Sequence, residues 1–358
     1  MRPRTLVVGL ASLAAVSCSA AGAGNGSQDG AATGGEPDDG AATGPPDAGS
    51  GDHGDVPPEG MHAIVEFTLP TPESDPEAIV AGPDGNLWFT ESGQAANKIG
   101  RITPAGAIDE WPIPTAGSLA WGMAVGADHN FWFVEQGANK IGRMTPAGVF
   151  SEFPIASADT GSFPINVAAG PDGNIWFTEQ VANRIDRVAP DGTLVGFVIP
   201  TDAAYPVGIA SGPDGNLWFT EEGANKIGRI TPDGAITEFA VATPRCSPYG
   251  IAGGPDGNLW FTEYNGVKIG RITPDGVITE FPIPTGVSTP YGITPGPDGN
   301  VWFTEYDGVK IGRITPGGVI TEFPIVTDHC YPSLITTGPD GNLWFTEFGA
   351  NKIGRLNP

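Results

Sequence analysis

Basic residues are scarce in this chain of 358 residues: 17 Lys and Arg stand against 41 Asp and Glu, a formal net charge of −24 at pH 7. Eight of the acidic residues lie between residues 19 and 60, and two of the basic residues lie before residue 5, so 33 acidic and 15 basic residues remain beyond residue 60. Such an excess of negative charge repels phosphate groups. We therefore expect neither nucleic acid nor an anionic membrane surface as a partner.

The N-terminus has only a short apolar run. Two arginines precede the run from Leu6 to Val16, and Cys18 follows it closely. A membrane-spanning helix needs about 20 apolar residues, so residues 1–18 are predicted to be a secretory signal. The segment AVSC resembles the lipobox of bacterial lipoproteins, which predicts that Cys18 is lipidated. Ordinary cleavage, with release of the exported protein, is the alternative.

Residues 19–60 contain almost only Gly, Ala, Asp, Ser, Thr and Pro, with no Lys or Arg. Such a segment cannot bury enough apolar surface to offset the loss of chain entropy on folding, so it is predicted to be a disordered tether. Tether and lipid anchor together predict a cell-envelope protein, in the periplasm or at the surface, that contacts the membrane through the anchor alone. We expect it to be a monomer.

The rest of the chain repeats one unit. The stretch GPDGNLWFTE, followed by NKIGRITP, recurs with spacings of 44, 44, 42, 42, 42 and 42 residues. Its first glycines are Gly82, Gly126, Gly170, Gly212, Gly254, Gly296 and Gly338. Two Gly-containing turns and several Pro-bearing strands per unit exclude a helical repeat. The sequence predicts an all-β, seven-bladed β-propeller over residues 61–358, with four strands, a to d, in each blade.

The two ends of the repeat array complement each other. The segment from Ile64 to Thr71 matches the one from Ile278 to Thr285, which is the last strand of a unit. The chain ends after only three strands of the seventh unit. We therefore expect the N-terminal strand to complete the C-terminal blade, which closes the ring and removes its open edges.

Nearly all basic residues of the repeat region belong to the NKIGR motif. Each b strand ends in a glutamate, and the motif follows on the c strand. We expect each glutamate to pair with these bases across the b–c hairpin, in a structural role. The glutamates are Glu91, Glu135, Glu179, Glu221, Glu263, Glu305 and Glu347.

The d–a and b–c loops emerge on one face of a propeller, and in this sequence they vary more than the a–b and c–d turns. Variation concentrated on one face indicates a binding face. Residues around the start of each a strand are predicted to form its rim: Asp75, Glu77, Trp121, Phe163, Tyr205, Tyr249, Tyr291, Tyr331 and Ser333. Such a rim suits a small molecule, a cyclic peptide or a glycan. Alternatively, the aromatic residues only order the loops.

The units WFTE, ANKIGRIT and ITEFPIPT, with the PYGI segments, resemble the virginiamycin B lyase (streptogramin B lyase) family of seven-bladed propellers across residues 64–358. The resemblance implies opening of the ester ring of a cyclic depsipeptide by elimination. In that reaction Mg²⁺ polarises the substrate and a histidine removes a proton. A base of near-neutral pKa and a cation beside the developing enolate suit this step.

The chain departs from this family at the catalytic positions. Tyr291 and Ser333 stand where the family has its histidines, and Tyr331 stands where it has a metal-binding glutamate. Among the family's metal carboxylates, only Glu347 has a counterpart here. The four histidines lie elsewhere, at His53, His62, His129 and His329.

Three functions remain open on these grounds. The leading interpretation is a ligand-binding or interaction module built on the lyase framework. The alternative is a Mg²⁺-dependent lyase in which Tyr249, aided by Arg245, or His329 replaces the missing base. A phenol of ordinary pKa, about 10, needs such a nearby cation to act as a base. The third is a structural spacer at the cell surface.

Cysteine is rare, and the propeller region has only Cys246 and Cys330. They occupy equivalent positions in the loops leading into the fifth and seventh units. A disulfide requires Cα atoms within about 7 Å, so the two loops would have to lean together. Two free thiols are the alternative, and a metal site with His329 is only weakly indicated.

Overall fold

A computed structural model describes residues 63–155 and 161–358. The predicted signal and tether, with Cys18, lie outside this part of the chain. The described residues form 28 β-strands in seven four-stranded antiparallel sheets. No helix that could cross a membrane occurs among them. The predicted all-β, seven-bladed propeller is confirmed.

Each blade runs from an inner a strand to an outer d strand. The a strands are β2 (Pro76–Ala81), β6 (Ala120–Val125), β10 (Pro164–Ala169), β14 (Pro206–Ser211), β18 (Pro248–Gly253), β22 (Pro290–Pro295) and β26 (Pro332–Thr337). The b strands are β3 (Leu87–Glu91), β7 (Phe131–Glu135), β11 (Ile175–Glu179), β15 (Leu217–Glu221), β19 (Leu259–Glu263), β23 (Val301–Glu305) and β27 (Leu343–Glu347).

The c strands are β4 (Lys98–Ile102), β8 (Lys140–Met144), β12 (Arg184–Val188), β16 (Lys226–Ile230), β20 (Lys268–Ile272), β24 (Lys310–Ile314) and β28 (Lys352–Leu356). The d strands are β5 (Ile108–Pro112), β9 (Phe150–Pro154), β13 (Leu194–Val198), β17 (Ile236–Ala240), β21 (Ile278–Pro282), β25 (Ile320–Pro324) and β1 (Ile64–Thr68). We number the blades 1 to 7 by their a strands.

The N-terminal strand closes the ring as predicted. Strand β1 pairs antiparallel with β28, with Ile64 opposite Leu356 and Thr68 opposite Lys352. The seventh sheet therefore has the order β1-β28-β27-β26. The two ends of the array are joined by main-chain hydrogen bonds, and no blade is left with three strands.

The b strands form the core of the ring because both of their faces are buried between neighbouring sheets. Every residue of each b strand is buried, which agrees with the apolar LWF run. Each b-strand tryptophan is 0–1% exposed. In every a–b turn, an aspartate accepts a hydrogen bond from the indole N–H of that tryptophan over 3.0–3.2 Å. The repeated Pro-Asp-Gly-Asn turn thus positions the core residue that follows it.

The arginine of the NKIGR motif packs on aromatic rings. In blade 5 the guanidinium of Arg271 lies 5.4 Å from the ring centroid of Trp260 and 5.6 Å from that of Phe281. Its Nη1 also donates a hydrogen bond to the Pro316 carbonyl of the next blade. The ring contacts recur in all seven blades. The hydrogen bond to the next blade recurs in five, so these arginines support both their own blade and the contact between blades.

The predicted pairing of the b-strand glutamates with these bases is wrong in six blades. There the lysine of the motif pairs with a d-strand glutamate instead, as Lys98 does with Glu110 over 2.6 Å. A direct contact of the predicted kind exists in blade 3, between Arg184 and Glu179 at 3.7 Å. The lysine reaches past its hairpin partner because the d-strand carboxylate, together with a threonine hydroxyl, offers it better hydrogen-bond geometry.

The b-strand glutamates are fully buried, and within the described residues their carboxyl oxygens make no hydrogen bond of ordinary geometry. Burial raises the pKa of Glu263 to about 8, and the neighbouring Glu280 carboxylate raises it further. The same causes raise the pKa of its counterparts in blades 1, 2, 4, 6 and 7 to between about 7 and about 8. At pH 7 the five glutamates with a pKa of about 8 are therefore mostly protonated, and Glu135, with a pKa of about 7, is about half protonated. A neutral carboxyl can donate a hydrogen bond to the d-strand carboxylate.

In blade 3 the second carboxyl group of this pair comes from the c strand instead of the d strand. The other blades have glycine on the c strand opposite glutamate on the d strand, as in Gly270 and Glu280. Blade 3 instead has Asp186 on the c strand opposite Gly196. Burial raises the pKa of Asp186 to about 7, and the adjacent Glu179 raises it further. A second acidic group beside the b-strand glutamate is thus present in every blade.

Candidate functional site

The mouth of the central channel is nearly closed on the face where the d–a and b–c loops emerge, which we call the loop face. The a strands line a cavity there with Glu77, Trp121, Asn166, Tyr249 and Tyr291 among its walls. About 20 Å³ of it is open to water, enough for a single molecule. A ligand larger than water does not fit this cavity in its present shape.

Glu77 and Ser333 meet across the joint between blades 1 and 7. The Ser333 hydroxyl donates a hydrogen bond of 2.8 Å to Glu77 Oε2, and both side chains are buried. Burial raises the pKa of Glu77 to about 8 against the effect of the Ser333 hydrogen bond, and the nearby Asp75 raises it further. At pH 7 this carboxyl is mainly neutral and is a hydrogen-bond donor rather than a fixed charge.

Tyr249 and Tyr291 pack against each other beside the same cavity. Their hydroxyl oxygens are 2.7 Å apart and their ring centroids 4.3 Å apart. Burial raises the pKa of both phenols well above the ordinary value. Neither phenol is therefore suited to remove a proton near neutral pH.

The structure does not bring the other base candidates to these phenols. The Tyr249 hydroxyl bonds Tyr291 rather than Arg245, and Arg245 is exposed. His329 is also exposed, with its ring centroid 6.2 Å from that of Tyr331. The replacement bases considered from the sequence thus lie around the rim without forming an acid–base pair.

A cluster of five tyrosines spans blades 5, 6 and 7 on the loop face. Its members are Tyr249, Tyr264, Tyr291, Tyr306 and Tyr331, and we call it the tyrosine cluster. Successive ring centroids are 5.8, 6.2, 5.4 and 5.0 Å apart. Four of the five rings are half-buried, so their outer edges remain available to a ligand.

Two members of the tyrosine cluster were missed from the sequence. Tyr264 and Tyr306 directly follow the b-strand glutamates of blades 5 and 6, where the b–c loops begin. A comparison of the seven copies at this position would have found them. The equivalent residues are Ser92, Gln136, Gln180, Glu222 and Phe348.

The remaining predicted rim residues lie on the same face but outside the tyrosine cluster. Trp121 is half-buried at the cavity, and Phe163 and Tyr205 are 38% and 45% exposed on blades 3 and 4. The residue before each a strand has a positive φ of 45–52° in all seven blades, Asp75 and Tyr331 included. This left-handed conformation is costly for residues other than glycine, and it recurs at the edge of the predicted binding face.

The residues at the expected metal position do not fit Mg²⁺. Glu347 is fully buried, and burial raises the pKa of its carboxyl to about 8. It is thus in the same environment as its counterparts in blades 1, 2, 4, 5 and 6. Within residues 63–155 and 161–358, no group of three His, Cys, Asp or Glu side chains is placed to hold a metal ion. Mg²⁺ prefers several charged or carbonyl oxygens.

The two cysteines of the propeller are free and buried. Burial raises the pKa of both thiols far above the ordinary value. Of the two alternatives for Cys246 and Cys330, the structure therefore shows free thiols rather than a disulfide. They take the place that serine has in most blades, under the loops that lead into blades 5 and 7.

Comparison with known proteins places the chain in a family. Residues 50–285 and 238–358 match the model of the virginiamycin B lyase family. The chain belongs to the virginiamycin B lyase family. It is also 40% identical over 53 residues to the virginiamycin B lyase of Bordetella bronchiseptica, a match that covers 15% of this chain and only 17% of that protein.

Solved structures of virginiamycin B lyases extend the similarity over the whole ring. A streptogramin B lyase structure is 41% identical, with a TM-score of 0.78, over 82% of this chain and 97% of the other. A catalytically inactive variant of the Staphylococcus aureus virginiamycin B lyase, crystallised with quinupristin, is 40% identical, with a TM-score of 0.79, over 83% and 100%. The framework of the virginiamycin B lyases is thus kept in full.

Proposed function

We propose that this member of the virginiamycin B lyase family binds a cyclic depsipeptide on its loop face without opening the ester ring. The observation that carries the proposal is the tyrosine cluster beside a channel mouth that lacks a usable base. Half-buried aromatic rings offer a flat, partly apolar surface with hydroxyl groups at its edge, which suits a macrocycle with both apolar and polar parts. The relative crystallised with quinupristin supports this class of ligand.

The charge around the tyrosine cluster supports a neutral or cationic ligand over an anionic one. Burial raises the pKa of the Tyr264 phenol, and the nearby Asp307 and Glu222 raise it further. A carboxylate on a ligand would be repelled by these two groups. This preference agrees with the strongly acidic composition of the chain.

The absence of ring opening follows from the groups at the catalytic positions. Elimination needs a base that is deprotonated at working pH and a cation to stabilise the developing enolate. Tyr291 and Ser333 occupy the family's histidine positions, and both side chains are buried. The ring-opening alternative needs a set of Mg²⁺ ligands that these residues do not provide. A structural spacer does not account for the tyrosine cluster.

Binding is tested by isothermal titration calorimetry with quinupristin. We expect measurable affinity for the unmodified protein and a loss of about tenfold or more with Tyr264→Ala combined with Tyr306→Ala, because two stacking surfaces are removed. Gln136→Ala is the matched control, since it changes the same loop position on blade 2. Equal affinities for all three proteins, or no heat with any of them, would contradict the proposal.

We also propose that the propeller is carried at the cell envelope by a lipid on Cys18, with residues 19–60 as its tether. The lipobox-like AVSC segment and the composition of the tether support this. Cys18→Ser is expected to move the protein from the membrane fraction to the soluble fraction of the producing cell. An unchanged membrane fraction would exclude a lipid at this residue.

A further inference from the structure

Five of the seven b–c loops end in an asparagine that joins two loops of the same blade. In blade 4, the Asn225 side-chain carbonyl accepts a hydrogen bond from the Cys246 N–H over 2.7 Å. Its amide donates to the carbonyls of Val241 and Thr243 over 3.1 and 2.9 Å. The b–c loop is thereby tied to the d–a loop that leaves the blade. We call this asparagine the loop clamp.

The loop clamp also suits the backbone at its position. Asn97, Asn139, Asn183, Asn225 and Asn351 all have positive φ values, between 46° and 58°. Asparagine tolerates the left-handed conformation better than other residues with a side chain. In the clamped blades, residue type, backbone conformation and hydrogen bonds therefore agree.

Blades 5 and 6 break this agreement. The clamp position is Val267 in blade 5 and Val309 in blade 6, with φ values of 53° and 52°. A β-branched residue in this conformation is strained. Valine also has no amide, so the Ser288 hydroxyl lacks the clamp oxygen to which Ser74, Ser118 and Ser162 donate in other blades.

The residue before the clamp changes in the same two blades. It is alanine in the five clamped blades, and it is Gly266 in blade 5 and Gly308 in blade 6. Glycine gives a loop more conformational freedom than alanine. Both substitutions weaken the hold on the loop end that adjoins the c strand.

The other end of each of these loops remains attached. In blade 5 the Tyr264 N–H donates to the Ser247 carbonyl over 3.1 Å, and the Asn265 N–H donates to the Cys246 carbonyl over 3.0 Å. The loop is thus fixed to the d–a loop that enters its blade. Toward the d–a loop that leaves it, the side-chain bonds are gone and the main-chain bond from the Ile283 N–H to the Val267 carbonyl, 3.1 Å, remains. One firmly held end and one more weakly held end allow a hinged movement.

The two unclamped loops are the ones that carry Tyr264 and Tyr306 into the tyrosine cluster. We propose that residues 264–267 and 306–309 are paired flaps, which open for the ligand and press these tyrosines onto it. The identity of the ligand rests on the proposed function. The weaker attachment of the two loops, in contrast, follows from the residues of the loops themselves. Because the same framework with Asn and Ala serves five blades, the strained pair at blades 5 and 6 is not required by the fold.

The competing explanation is that the valines are there for packing. Val267 contacts the hydrophobic cluster that contains Ile283, and Val309 contacts the one that contains Ile325. If packing outweighs the strain and the missing hydrogen bonds, replacement by asparagine destabilises the protein. The two explanations therefore predict opposite signs for the same substitution.

The test uses Val267→Asn and Val309→Asn without ligand, with Asn225→Val as the matched reverse change in blade 4. We expect each asparagine variant to raise the midpoint of thermal unfolding by about 2–4 °C and Asn225→Val to lower it. In the unmodified protein, hydrogen exchange of the Tyr264 and Tyr306 amides is expected to be at least about tenfold faster than that of the Glu222 amide, which makes the equivalent main-chain hydrogen bond, and the asparagine variants should remove that difference.

A lower unfolding temperature for both asparagine variants would overturn the flaps in favour of packing. Exchange of the Tyr264 amide as slow as that of the Glu222 amide in the unmodified protein would overturn them as well. Adding quinupristin then separates the two proposals. If exchange and stability behave as expected but quinupristin leaves the exchange at both loops unchanged, the flaps stand and quinupristin binding at the tyrosine cluster fails.

Discussion

A chain that begins at residue 75, and so lacks strand β1, is expected to lose its cooperative thermal unfolding transition. Strand β1 supplies the d strand of blade 7, with five paired residues along β28. Phe67 stacks on Trp344 with ring centroids 5.6 Å apart, and Glu66 pairs with Lys352 over 2.6 Å. Removing the strand opens the ring and exposes a core that is otherwise buried.

The expected effect is large because several losses coincide. Truncating one buried aromatic residue costs about 3–5 kcal/mol, and a whole domain is stable by only about 5–15 kcal/mol. The control is a chain that begins at residue 61, which keeps β1 and should melt like the full-length protein in circular dichroism. A chain from residue 75 that melts at the same temperature as this control would show that blade 7 does not need its fourth strand.

Stability is expected to fall as the pH rises from about 5 to about 8. The folded protein raises the pKa of six b-strand glutamates from 4.5 to about 7 or 8. Between these values the folded chain holds protons that the unfolded chain has released. The stabilisation is therefore fully present below the unfolded pKa, and it is lost as the pH rises through the folded pKa.

Other carboxylates give the opposite slope at lower pH. Partial burial would raise the pKa of Asp256 and its counterparts in the a–b turns, but hydrogen bonds from asparagine and tryptophan lower it overall. These groups stabilise the fold above their unfolded pKa, and that contribution is lost as the pH falls through the folded one. Thermal melts across pH 3 to 10 should therefore show a maximum on the mildly acidic side of neutrality.

Glu263→Gln isolates one buried carboxyl pair, because glutamine imitates the neutral form of the acid. The variant should match the unmodified protein near pH 5 and become the more stable of the two as the pH rises. The difference should grow by up to about 1.4 kcal/mol per pH unit until the pH passes about 8. Asp275→Asn is the matched control, because it removes one carboxylate from the exposed c–d turn of the same blade.

A constant difference between Glu263→Gln and the unmodified protein at every pH would show that Glu263 does not hold a proton in the folded state. A difference that grows equally with Asp275→Asn would point to the overall charge rather than to the buried pair. The comparison thus separates a local proton from the general effect of an acidic chain.

The repeat made the fold predictable from the sequence. Seven copies of one unit fixed the number of blades, and the match of the first strand to the d strands of the units predicted the closure at β1 and β28. The two-sided apolar pattern of the b strands also placed the core correctly. In a repeat array every unit has the same local pattern and the same place in the fold. A unit that departs from the pattern can therefore be assigned from the other units.

The pairing of charged side chains was less predictable. Glu91 and Lys98 do lie opposite each other in the strand register, as the sequence suggested. The Lys98 ammonium nevertheless bonds Glu110, because a long flexible side chain selects its partner by geometry across the sheet rather than by hairpin position. The neutral state of Glu91 then follows from burial, which a sequence does not show directly.

The candidate site was predicted in part. Its inner tyrosines, Tyr249 and Tyr291, stood out because they break the pattern at the start of the a strands. Tyr264 and Tyr306 follow the most regular segment of the unit and were overlooked, although their ring contacts complete the tyrosine cluster. Functional departures in a repeat protein are found by comparing equivalent positions one by one.

The central claim is that the loop face binds a depsipeptide that the protein does not open. Equilibrium dialysis of quinupristin against the protein, with Mg²⁺ present and both compartments quantified by mass spectrometry, tests it most directly. We predict an excess of intact quinupristin on the protein side, at every time of sampling. Equal concentrations on both sides, or the appearance of ring-opened product above the buffer control, would contradict it.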